Sequence, residues 1–533
     1  MAQPIHFFGK RISGMFTLPS GIIGTEVSVI ERIAREIPEI GILTTKSIGL
    51  EPRKGNKEPI LARYAPGSFT NAVGLTNPGV DEFVKRLRTI HIPDDKFLLV
   101  SIFGGSEEEF EEVAKRVLEF ADGFELNMSC PHSNTFGQVI GADTELLECI
   151  TRRVSALGKP TLVKISPNLD CEAAVLSALR GGASGIVAVN TKGPETVCHD
   201  GFPVLSNKVG GMSGAALLES GVAYVQAIRK ITDMPIIACG GISSAADVRQ
   251  YASAGASFFG IGSALAGLET KEIKTFFHTL SDDLSHDSNN ASHLLKEVNM
   301  DYQAYHVKER IQMADDLCEL VFEEDIRALP GQFIFAWLPE IGEKPFSVFD
   351  DAPMSLLIQK FGAVTDALSK LNTGDIVYIR GPYGNSPTVT GKTLLVGGGT
   401  GIASLYLFAK NTPDTIAVLG AKDGNHLPYK KFESVCKKVH LATDSGDIGE
   451  KGFVTSNLKQ ILADENPTTC LNCGPKVMID AASALEKDVL PIERILSSID
   501  FLTKCGVGIC GSCATSKGLR SCVDGTFLDS HQI

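Results

Sequence analysis

The sequence predicts an α/β protein whose first half forms a (β/α)8 barrel. Short apolar runs such as Phe97–Phe103 and Thr161–Ile165 alternate with segments such as Glu107–Phe120, in which apolar residues recur at helical spacing. This alternation indicates a parallel sheet with buried strands. The number of runs reaches about eight when an early strand near Phe16–Ile22 is included, which favours a closed barrel over an open sheet.

The sequence beyond the barrel predicts several smaller domains. Ser281–His293 is polar and rich in Ser, Asn and Asp, which is the composition of a linker. Strand-like runs separated by Pro and Gly then favour a small antiparallel β-barrel, and a strand–glycine turn–helix unit from Lys392 belongs to a further α/β domain. The predicted boundaries are 1–278 for the first barrel, 279–298 for the linker, 299–388 for the small β-barrel, 389–492 for the α/β domain and 493–533 for a cysteine-rich tail.

Composition narrows the classes of function. The 533 residues exceed what one hydrophobic core serves, so roughly two to four domains are expected. The formal net charge of −13 disfavours nucleic-acid binding, which needs clustered Lys and Arg. Met1–Gly14 has no apolar core of signal-peptide length, and no uncharged apolar run of about 18 residues follows, so we expect a cytoplasmic protein without a membrane anchor.

Four of the 13 cysteines crowd into the last 30 residues, as Cys505-x4-Cys510-x2-Cys513-x8-Cys522. Four thiolates can hold a [2Fe–2S] cluster, and the x4 and x2 spacings are those of the plant-type ferredoxins. Glycines between the cysteines would let backbone amides turn towards the cluster. The alternatives are a zinc knuckle, which prefers paired CxxC units, and disulfides, which a reducing compartment disfavours.

Leu394–Ser404 (LLVGGGTGIAS) places three consecutive glycines between a predicted strand and a predicted helix. Amides at a helix N-terminus favour a phosphate group, and glycines allow a pyrophosphate to approach closely. A tight strand-to-helix turn without a ligand is the alternative interpretation of this loop.

Four motifs in the second half occur in the order seen in the ferredoxin–NADP⁺ reductase superfamily, which this half resembles. They are Lys344–Ser347 (KPFS), Gly381–Gly384 (GPYG), the glycine loop and Asn472–Pro475 (NCGP). The resemblance implies FAD contacts from Lys344, Pro345 and Ser347, and an NAD(H) site lined by Gly398, Thr400, Gly401 and Cys473. Lys344 replaces the usual Arg, and Ser404 stands where Pro is more usual. With the cysteine tail, the half is most similar to electron-transfer subunits of NAD-linked dihydroorotate dehydrogenases.

The first half resembles class 1 dihydroorotate dehydrogenases through motifs spread over nearly the whole barrel. These are Thr44–Ser47 (TTKS), Thr70–Gly79 (TNAVGLTNPG), Glu125–Pro131 (ELNMSCP), Val163–Lys164, Val189–Thr191 (VNT), Gly210–Gly214 (GGMSG), Cys239–Ile242 (CGGI) and Gly260–Ser263 (GIGS). The resemblance implies oxidation of dihydroorotate to orotate. Electrons would pass from FMN through the [2Fe–2S] cluster and FAD to NAD⁺, in a fusion of two subunits that assembles as a homodimer through the barrel.

The same resemblance assigns roles to residues of the barrel. Cys130 would be the base that removes the C5 proton, a thiol whose ordinary pKa lies near 8.5; an inert buried cysteine is the alternative. Amide and hydroxyl groups would bind the substrate, since a planar ligand rich in donors and acceptors needs both. The implied substrate-binding residues are Lys46, Asn71, Asn127, His132, Asn190 and Thr191.

FMN would be held by a second set of residues at the ends of the barrel strands. Lys46 and Lys164 would place a positive charge beside the flavin ring, although a strand-end lysine can also be a solvated rim charge. Four residues, Gly240, Gly241, Gly262 and Ser263, follow the last two predicted strands, where barrel enzymes commonly bind phosphate. Ser20, Gly21, Ser47 and Gly214 complete the implied FMN site.

His132 occupies a position where Asn is usual in the class 1 enzymes. A Cys-Pro-His sequence is similar to the barrel domain of dihydropyrimidine dehydrogenase, which reduces uracil and thymine. A dihydropyrimidine dehydrogenase-like enzyme is therefore one alternative function, and a non-catalytic flavin and iron–sulfur electron carrier is another. The intact Asn71–Gly79 segment favours orotate.

Overall fold

The computed structural model describes residues 4–128, 141–499 and 502–533, which divide into two compact units. The first unit comprises Met1–Val298 together with the short segment Val507–Ala514. The second unit comprises Asn299–Gly506 and Thr515–Ile533. The eight residues from 507 to 514 therefore fold with the first unit, although the sequence around them belongs to the second.

The strands of the first unit include a closed parallel barrel. In chain order they are β1 (Ile5–Phe7), β2 (Lys10–Ile12), β3 (Phe16–Thr17), β4 (Ile40–Thr44), β5 (Leu61–Ala65), β6 (Ser68–Asn71), β7 (Phe97–Ile102), β8 (Gly123–Asn127), β9 (Thr161–Ile165), β10 (Gly185–Ala188), β11 (Lys192–Glu195), β12 (Cys198–His199), β13 (Phe202–Pro203), β14 (Gly210–Gly214), β15 (Ile236–Cys239) and β16 (Phe258–Gly260). Eight of them close in the order β10-β15-β16-β3-β4-β7-β8-β9. The predicted (β/α)8 barrel is confirmed.

Helices pack around the barrel because each has one apolar stripe. They are α1 (Val27–Glu36), α2 (Val80–Leu87), α3 (Glu107–Val117), α4 (Thr144–Ser155), α5 (Cys171–Arg180), α6 (Leu218–Arg229), α7 (Ala245–Ser253) and α8 (Thr270–His286). In α3, for example, Phe110, Val113, Ala114 and Val117 are buried at helical spacing, and the Ser106 hydroxyl caps the first turn by accepting from the Glu109 amide. The apolar stripes and one set of strand residues form a large core cluster, and the other strand residues, such as Ile42 and Leu99, form a second cluster with Phe7.

A four-stranded antiparallel sheet, in the order β11-β14-β6-β5, stands beside the carboxyl rim of the barrel. Its strands are insertions: β5 and β6 follow barrel strand β4, while β11 and β14 follow barrel strand β10. Because both insertions leave the barrel at the carboxyl ends of strands, they bring Asn71 and Gly214 to the face where barrel enzymes build their sites.

The segment predicted as a linker contains regular structure. Helix α8 continues to His286, and a 3₁₀ turn covers Asn290–Leu294. The polar residues there end the helix, since the buried Asp283 carboxylate accepts from the Asn290 side chain and from the Ala291 amide. Polar composition in this stretch therefore reflects helix termination.

The second unit contains two seven-stranded sheets. Its strands are β17 (Gln303–Ala314), β18 (Leu317–Phe322), β19 (Phe333–Leu338), β20 (Gly342–Ser347), β21 (Asp350–Asp351), β22 (Met354–Gln359), β23 (Ile376–Tyr383), β24 (Thr393–Gly398), β25 (Thr415–Ala421), β26 (Lys438–Thr443), β27 (Glu450–Lys451), β28 (Thr469–Cys473), β29 (Ile495–Ser498) and β30 (Leu528–Asp529). The first sheet is antiparallel, in the order β20-β19-β23-β17-β18-β22-β21. The second, β27-β26-β25-β24-β28-β29-β30, is parallel except at β30.

Short helices complete the second unit: α9 (Ala363–Leu368), α10 (Ala403–Asn411), α11 (Tyr429–Glu433), α12 (Leu458–Glu465), α13 (Lys476–Glu486) and α14 (Ser521–Asp524). The predicted strand–glycine turn–helix unit is β24, a 3₁₀ turn over Gly399–Ile402, and α10. Among the residues that the structure describes, no helix combines the length and apolar character needed to cross a membrane.

Candidate functional site

Most of the predicted site residues that the structure describes in the first unit lie at the carboxyl rim of the barrel. Ser20 and Gly21 follow β3, Lys46 and Ser47 follow β4, Asn127 ends β8, and Asn190 and Thr191 follow β10. Lys164 lies within β9. Gly240 and Gly241 follow β15, and Gly262 and Ser263 follow β16. Residues far apart in the chain thus face one end of the barrel, which is the end used by enzymes of this architecture.

Ser47 joins several of these residues through its hydroxyl group. Its Oγ lies 2.9 Å from Ser20 Oγ and 2.9 Å from Ser101 Oγ, and it accepts from Asn127 Nδ2 at 2.8 Å. Ser101 Oγ donates to Glu125 Oε1 at 2.8 Å. Since a hydroxyl has one proton, Ser47 donates to Ser101, and Ser20 donates to Ser47. The chain of hydroxyls therefore points its protons from the rim towards the Glu125 carboxylate.

The amide side chains form a second branch of this network. Asn190 Nδ2 donates to Asn127 Oδ1 at 3.3 Å, and Asn190 Oδ1 accepts from the Thr191 amide at 2.8 Å. The Thr191 Oγ1 atom is buried and has no hydrogen-bond partner within the described part of the chain. A buried hydroxyl without a partner costs free energy, so this atom is well suited to a polar ligand group.

Lys164 shares the interior of the rim with Glu125, a residue that the sequence prediction did not assign to the site. Lys164 Nζ lies 3.6 Å from Glu125 Oε1, and both side chains are almost completely buried. Cys239, at the end of β15, is nearby, and burial raises the pKa of its thiol to about 12 despite the attraction of the Lys164 charge. Glu125 is the first residue of the ELNMSCP motif, so the sequence could have indicated that it belongs to the site. The motif alone does not distinguish a catalytic role for Glu125 from a structural one.

The remaining rim residues surround Lys46 and the loops after the last two barrel strands. A Cβ placed on Gly21 would lie 3.8 Å from Lys46 Nζ, so this buried lysine reaches the β3 loop. The carbonyl of Gly240 accepts from the Tyr251 hydroxyl at 2.7 Å, which fixes the first glycine of the pair at 240 and 241. Ser263, which follows Gly262, donates through Oγ to Ser213 Oγ at 3.2 Å, linking the loop after β16 to strand β14.

Two predicted residues lie in the antiparallel sheet, apart from this network. Asn71 Nδ2 donates to the Gly211 carbonyl at 3.2 Å within the antiparallel sheet, and Gly214 ends β14 in the same sheet. Cys130 and His132 lie outside the described residues. The structure therefore places the predicted substrate amides and flavin lysines, while the predicted base stays a sequence-based expectation.

In the second unit, three predicted motifs meet at Ser404. Ser347 Oγ donates to Ser404 Oγ at 3.2 Å, Ser404 Oγ donates to the Gly401 carbonyl at 3.1 Å, and Cys473 Sγ lies 3.1 Å from Ser404 Oγ. A Cβ on Gly401 would come within 2.7 Å of the Cys473 backbone, so only glycine allows this approach. The KPFS, GGGTGIAS and NCGP motifs are thus adjacent in space.

The other predicted residues of this site have different environments. Lys344 and Thr400 are exposed, Pro345 is half-buried, and Gly398 is buried at the end of β24. The exposed pair leaves a cation and a hydroxyl at the surface beside the buried motif junction, where a dinucleotide could reach them. In the sequence, Ser404 differs from the family pattern only as a serine in place of the usual Pro.

The four tail cysteines are all buried. Three glycines between them, Gly506, Gly508 and Gly511, have left-handed φ values of 81°, 76° and 69°. This backbone turns in the way that a loop wrapped around a cluster requires, and thiolates are the ligands that iron–sulfur clusters take, so the residues present fit a [2Fe–2S] group. In the described residues no three His, Cys, Asp or Glu side chains are grouped so that they could hold one metal ion.

Part of this cysteine segment is anchored within the first unit. The Ile23 amide donates to the Ile509 carbonyl at 2.6 Å, the Thr25 hydroxyl to the Cys510 carbonyl at 2.5 Å, and the Gly267 amide to the Val507 carbonyl at 2.9 Å. Ile23 and Gly267 belong to the loops after β3 and β16, the same loops that carry the predicted flavin residues.

Comparison with known proteins identifies relatives that are named as two different subunits. The family model described as dihydroorotate dehydrogenase matches residues 4–284. The chain is 39% identical over 254 residues to the "Dihydroorotate dehydrogenase B (NAD(+)), catalytic subunit" of Methanocaldococcus jannaschii, a match that covers 46% of this chain and 82% of that protein. A protein of the same name from Pyrococcus horikoshii is 38% identical over 267 residues, covering 49% and 86%.

A third relative has a different name. The chain is 39% identical over 230 residues to the "Probable dihydroorotate dehydrogenase B (NAD(+)), electron transfer subunit" of Pyrococcus abyssi, which covers 43% of this chain and 90% of that protein. One chain is therefore similar to two proteins that are named as separate subunits.

Proposed function

This chain belongs to the dihydroorotate dehydrogenase family, and we propose that it oxidises dihydroorotate to orotate with NAD⁺ as the final electron acceptor. The observation that carries the proposal is the polar network at the barrel rim, in which Asn127, Asn190 and Ser47 are joined by hydrogen bonds. Similarity to both a catalytic and an electron-transfer subunit supports the NAD-linked form of the reaction.

The barrel residues would bind the substrate and hold its reacting carbon atoms in place. Dihydroorotate loses a proton from C5 and a hydride from C6, so a base and a hydride acceptor must lie on opposite faces of its ring. Asn71, Asn127 and Asn190 would bind the carboxylate and ring amides, and the Thr191 hydroxyl supplies a buried polar group that awaits a partner. Cys130 would be the base, and His132 would complete the contacts.

FMN would be held by the rim residues that surround this substrate site: Ser20, Gly21, Lys46, Ser47, Lys164, Gly214, Gly240, Gly241, Gly262 and Ser263. When bound, FMN supplies the hydride acceptor of the reaction. The buried ammonium groups of Lys46 and Lys164 would supply positive charge to the flavin site, which would favour a flavin that has gained electrons. The loops after β15 and β16 lie where barrel enzymes commonly hold a phosphate.

The second unit would carry the electrons onward. FAD would lie against Lys344, Pro345 and Ser347, and NAD(H) against the glycine loop and Cys473. The hydrogen bonds from Ser347 and Cys473 to Ser404 hold one residue of each proposed site close together, which supports this assignment. A [2Fe–2S] cluster would be held by Cys505, Cys510, Cys513 and Cys522, and it would supply one-electron transfer between the flavins.

A stepwise reduction under anaerobic conditions tests the proposal. Dihydroorotate added to the purified protein should bleach the flavin absorbance, and NAD⁺ added next should give NADH. Bleaching without NADH would contradict the electron path to NAD⁺ but not the barrel chemistry. Absence of bleaching, with dihydrouracil active instead, would favour the dihydropyrimidine dehydrogenase-like alternative that His132 suggests.

The assembly and location follow from the same family resemblance. We expect a homodimer formed through the barrel and a cytoplasmic protein. Light scattering coupled to size-exclusion chromatography would contradict the first expectation if it gave a mass of one chain.

A further inference from the structure

A buried ion pair crosses the antiparallel sheet of the second unit. Glu343 on β20 and Arg380 on β23 are separated by the intervening strand β19, and both side chains are at most 1% exposed. Arg380 Nε donates to Glu343 Oε1 at 2.6 Å, and Arg380 Nη2 donates to Glu343 Oε2 at 2.9 Å. The Tyr302 hydroxyl donates to Glu343 Oε1 at 2.5 Å. Both oxygens of the Glu343 carboxylate therefore accept hydrogen bonds, from Arg380 and from Tyr302.

The other side of the guanidinium faces the first cysteine of the tail. Arg380 Nη1 donates to the Cys505 backbone carbonyl at 3.0 Å and to the Tyr383 hydroxyl at 3.1 Å. The guanidinium carbon also lies 4.0 Å from the centre of the Phe335 ring, a cation–π contact. Within the ion pair, the positive end therefore points to Cys505 and the negative end points away from it.

The residue after Cys505 packs against the same group of side chains. Gly506 has φ 81°, and a Cβ there would lie 2.8 Å from the Phe335 ring and 3.2 Å from the Tyr383 ring. A larger residue would push this turn away from the rings. Backbone position at 505 and 506 is thus fixed twice, by the hydrogen bond from Arg380 and by the two rings.

We propose that Arg380, oriented by Glu343, is a positioning residue for the iron–sulfur cluster, holding the Cys505 segment in place and directing a fixed positive charge towards the cluster. The inference rests on the proposed function, since it requires a cluster on Cys505. Net charge and hydrogen bonding near a cluster set its reduction potential. A cation on the Cys505 side stabilises the reduced cluster, which carries one more negative charge.

A purely structural role does not explain the arrangement well. Burying two charges costs free energy, and packed apolar side chains of similar volume stabilise a protein as well or better. Arg380 uses Nε and Nη2 for Glu343, which leaves Nη1 to donate to the Cys505 carbonyl. The positive charge of the pair is therefore held on the side of Cys505. Arg229 offers a contrast, since this arginine of the first unit donates only to backbone carbonyls, those of Thr232, Met234 and Gly255.

The test compares anaerobically purified full-length protein with three variants. Arg380→Lys keeps the charge and loses the planar fork, whereas the double variant Glu343→Gln with Arg380→Gln removes both charges and leaves two neutral amides that can hydrogen-bond to each other. Arg229→Lys is the matched control. Each protein is measured for iron and sulfide content, FAD content, the electron paramagnetic resonance spectrum after dithionite reduction, the cluster midpoint potential, and the rate of cluster loss to an iron chelator.

We expect Arg380→Lys to lose its cluster about tenfold faster than the unaltered protein, with shifted g values, because Cys505 is no longer held. The double variant should have a lower cluster midpoint potential, and Arg229→Lys should match the unaltered protein in all cluster measurements. FAD content shows whether each variant keeps its fold, and the double variant still tests the charge if Arg380→Lys does not fold.

The two proposals can fail separately. A cluster of unchanged spectrum, potential and lifetime in both Arg380 variants would overturn the positioning role and leave the proposed function intact. Absence of iron and sulfide from the unaltered protein would overturn both, since neither an electron path nor a residue that positions it would exist.

Discussion

Glu125 Oε1 lies 3.6 Å from Lys164 Nζ at the centre of the barrel rim, with both side chains excluded from solvent. The Ser101 hydroxyl donates to the same Glu125 oxygen, so the carboxylate ends a chain of hydroxyls that begins at Ser20. A negative charge thus stands behind the lysine that we propose to face the flavin. It limits how strongly Lys164 attracts electrons onto the ring.

Replacing Glu125 with Gln should raise the flavin midpoint potential, because the positive charge of Lys164 is then less balanced. Folding stability should fall by about 3 kcal/mol, since one member of a buried ion pair is lost. Redox titration of the bound FMN and thermal unfolding measure the two effects. Glu145→Gln, an exposed change on α4, is the control and should alter neither. A potential that stays constant in Glu125→Gln would argue against electrostatic contact between Lys164 and the ring.

Replacing Cys130 with Ser should lower turnover of dihydroorotate by about 100-fold or more at neutral pH, because a hydroxyl is a far weaker acid than a thiol and so provides almost no anionic base at that pH. The remaining activity should rise with pH over a wider range than in the unaltered protein. Steady-state rates from pH 6 to about 10 measure both effects. Cys149→Ser, on α4, should leave the profile unchanged. Full turnover of Cys130→Ser at neutral pH would show that another group is the base.

Replacing Ser404 with Ala should slow the reduction of FAD by NADH by about five- to tenfold, because the hydrogen bonds that align Ser347 and Cys473 are lost. The initial bleaching of flavin by dihydroorotate should keep its rate, since that step needs only the barrel. Stopped-flow absorbance separates the two steps. Ser483→Ala, in the buried face of α13, is the control. Equal slowing of both steps would point to a general loss of stability instead.

A pH-dependent contribution to stability is expected from Glu486 in the second unit. Burial raises the pKa of this carboxyl to about 7, although the Asn472 side chain donates to it at 2.7 Å. The ordinary value is 4.5, so between these two values the folded protein holds a proton that the unfolded chain has released. The stabilising contribution is therefore complete below about pH 4.5 and disappears as the pH rises towards 7.

Glu486→Gln should remove this dependence. Over that interval the contribution amounts to about 3 kcal/mol, and the neutral amide should keep it at every pH. The difference in melting temperature between variant and unaltered protein should grow from pH 5 to about 8 in favour of the variant. A constant difference across this range would mean that the carboxyl does not titrate there.

The barrel and the order of the cofactor motifs could be predicted because both depend on local patterns. Apolar runs alternate with helical segments along the first half, and the closed barrel of eight strands follows from that alternation. Motif residues such as Asn127 and Asn190 converge because parallel strands end at the same rim. The partners of these residues could not be predicted, since a hydrogen bond between Asn127 and Ser47 depends on side-chain directions across distant strands.

Two other features needed the folded chain. The polar stretch after Leu280 has the composition of a linker, but Asp283 is buried and receives hydrogen bonds that close helix α8, which composition alone does not reveal. The pairing of Glu343 with Arg380 was also hidden, because the two residues lie on strands separated by a third. Motif spacing indicates the chemistry that a residue can provide, but its hydrogen-bond partner depends on the order of the strands in the sheet.

Because Val507–Ala514 belongs to the first unit, a cut in the chain after residue 298 would separate this segment from the rest of that unit. A chain that stopped after Val298 would lose the carbonyl groups that receive the amides of Ile23 and Gly267. The loops after β3 and β16 would then exchange internal partners for water at the point where the flavin residues begin. In an isolated barrel, these two amides would therefore need water or a separately supplied peptide of residues 507–514 as hydrogen-bond partners.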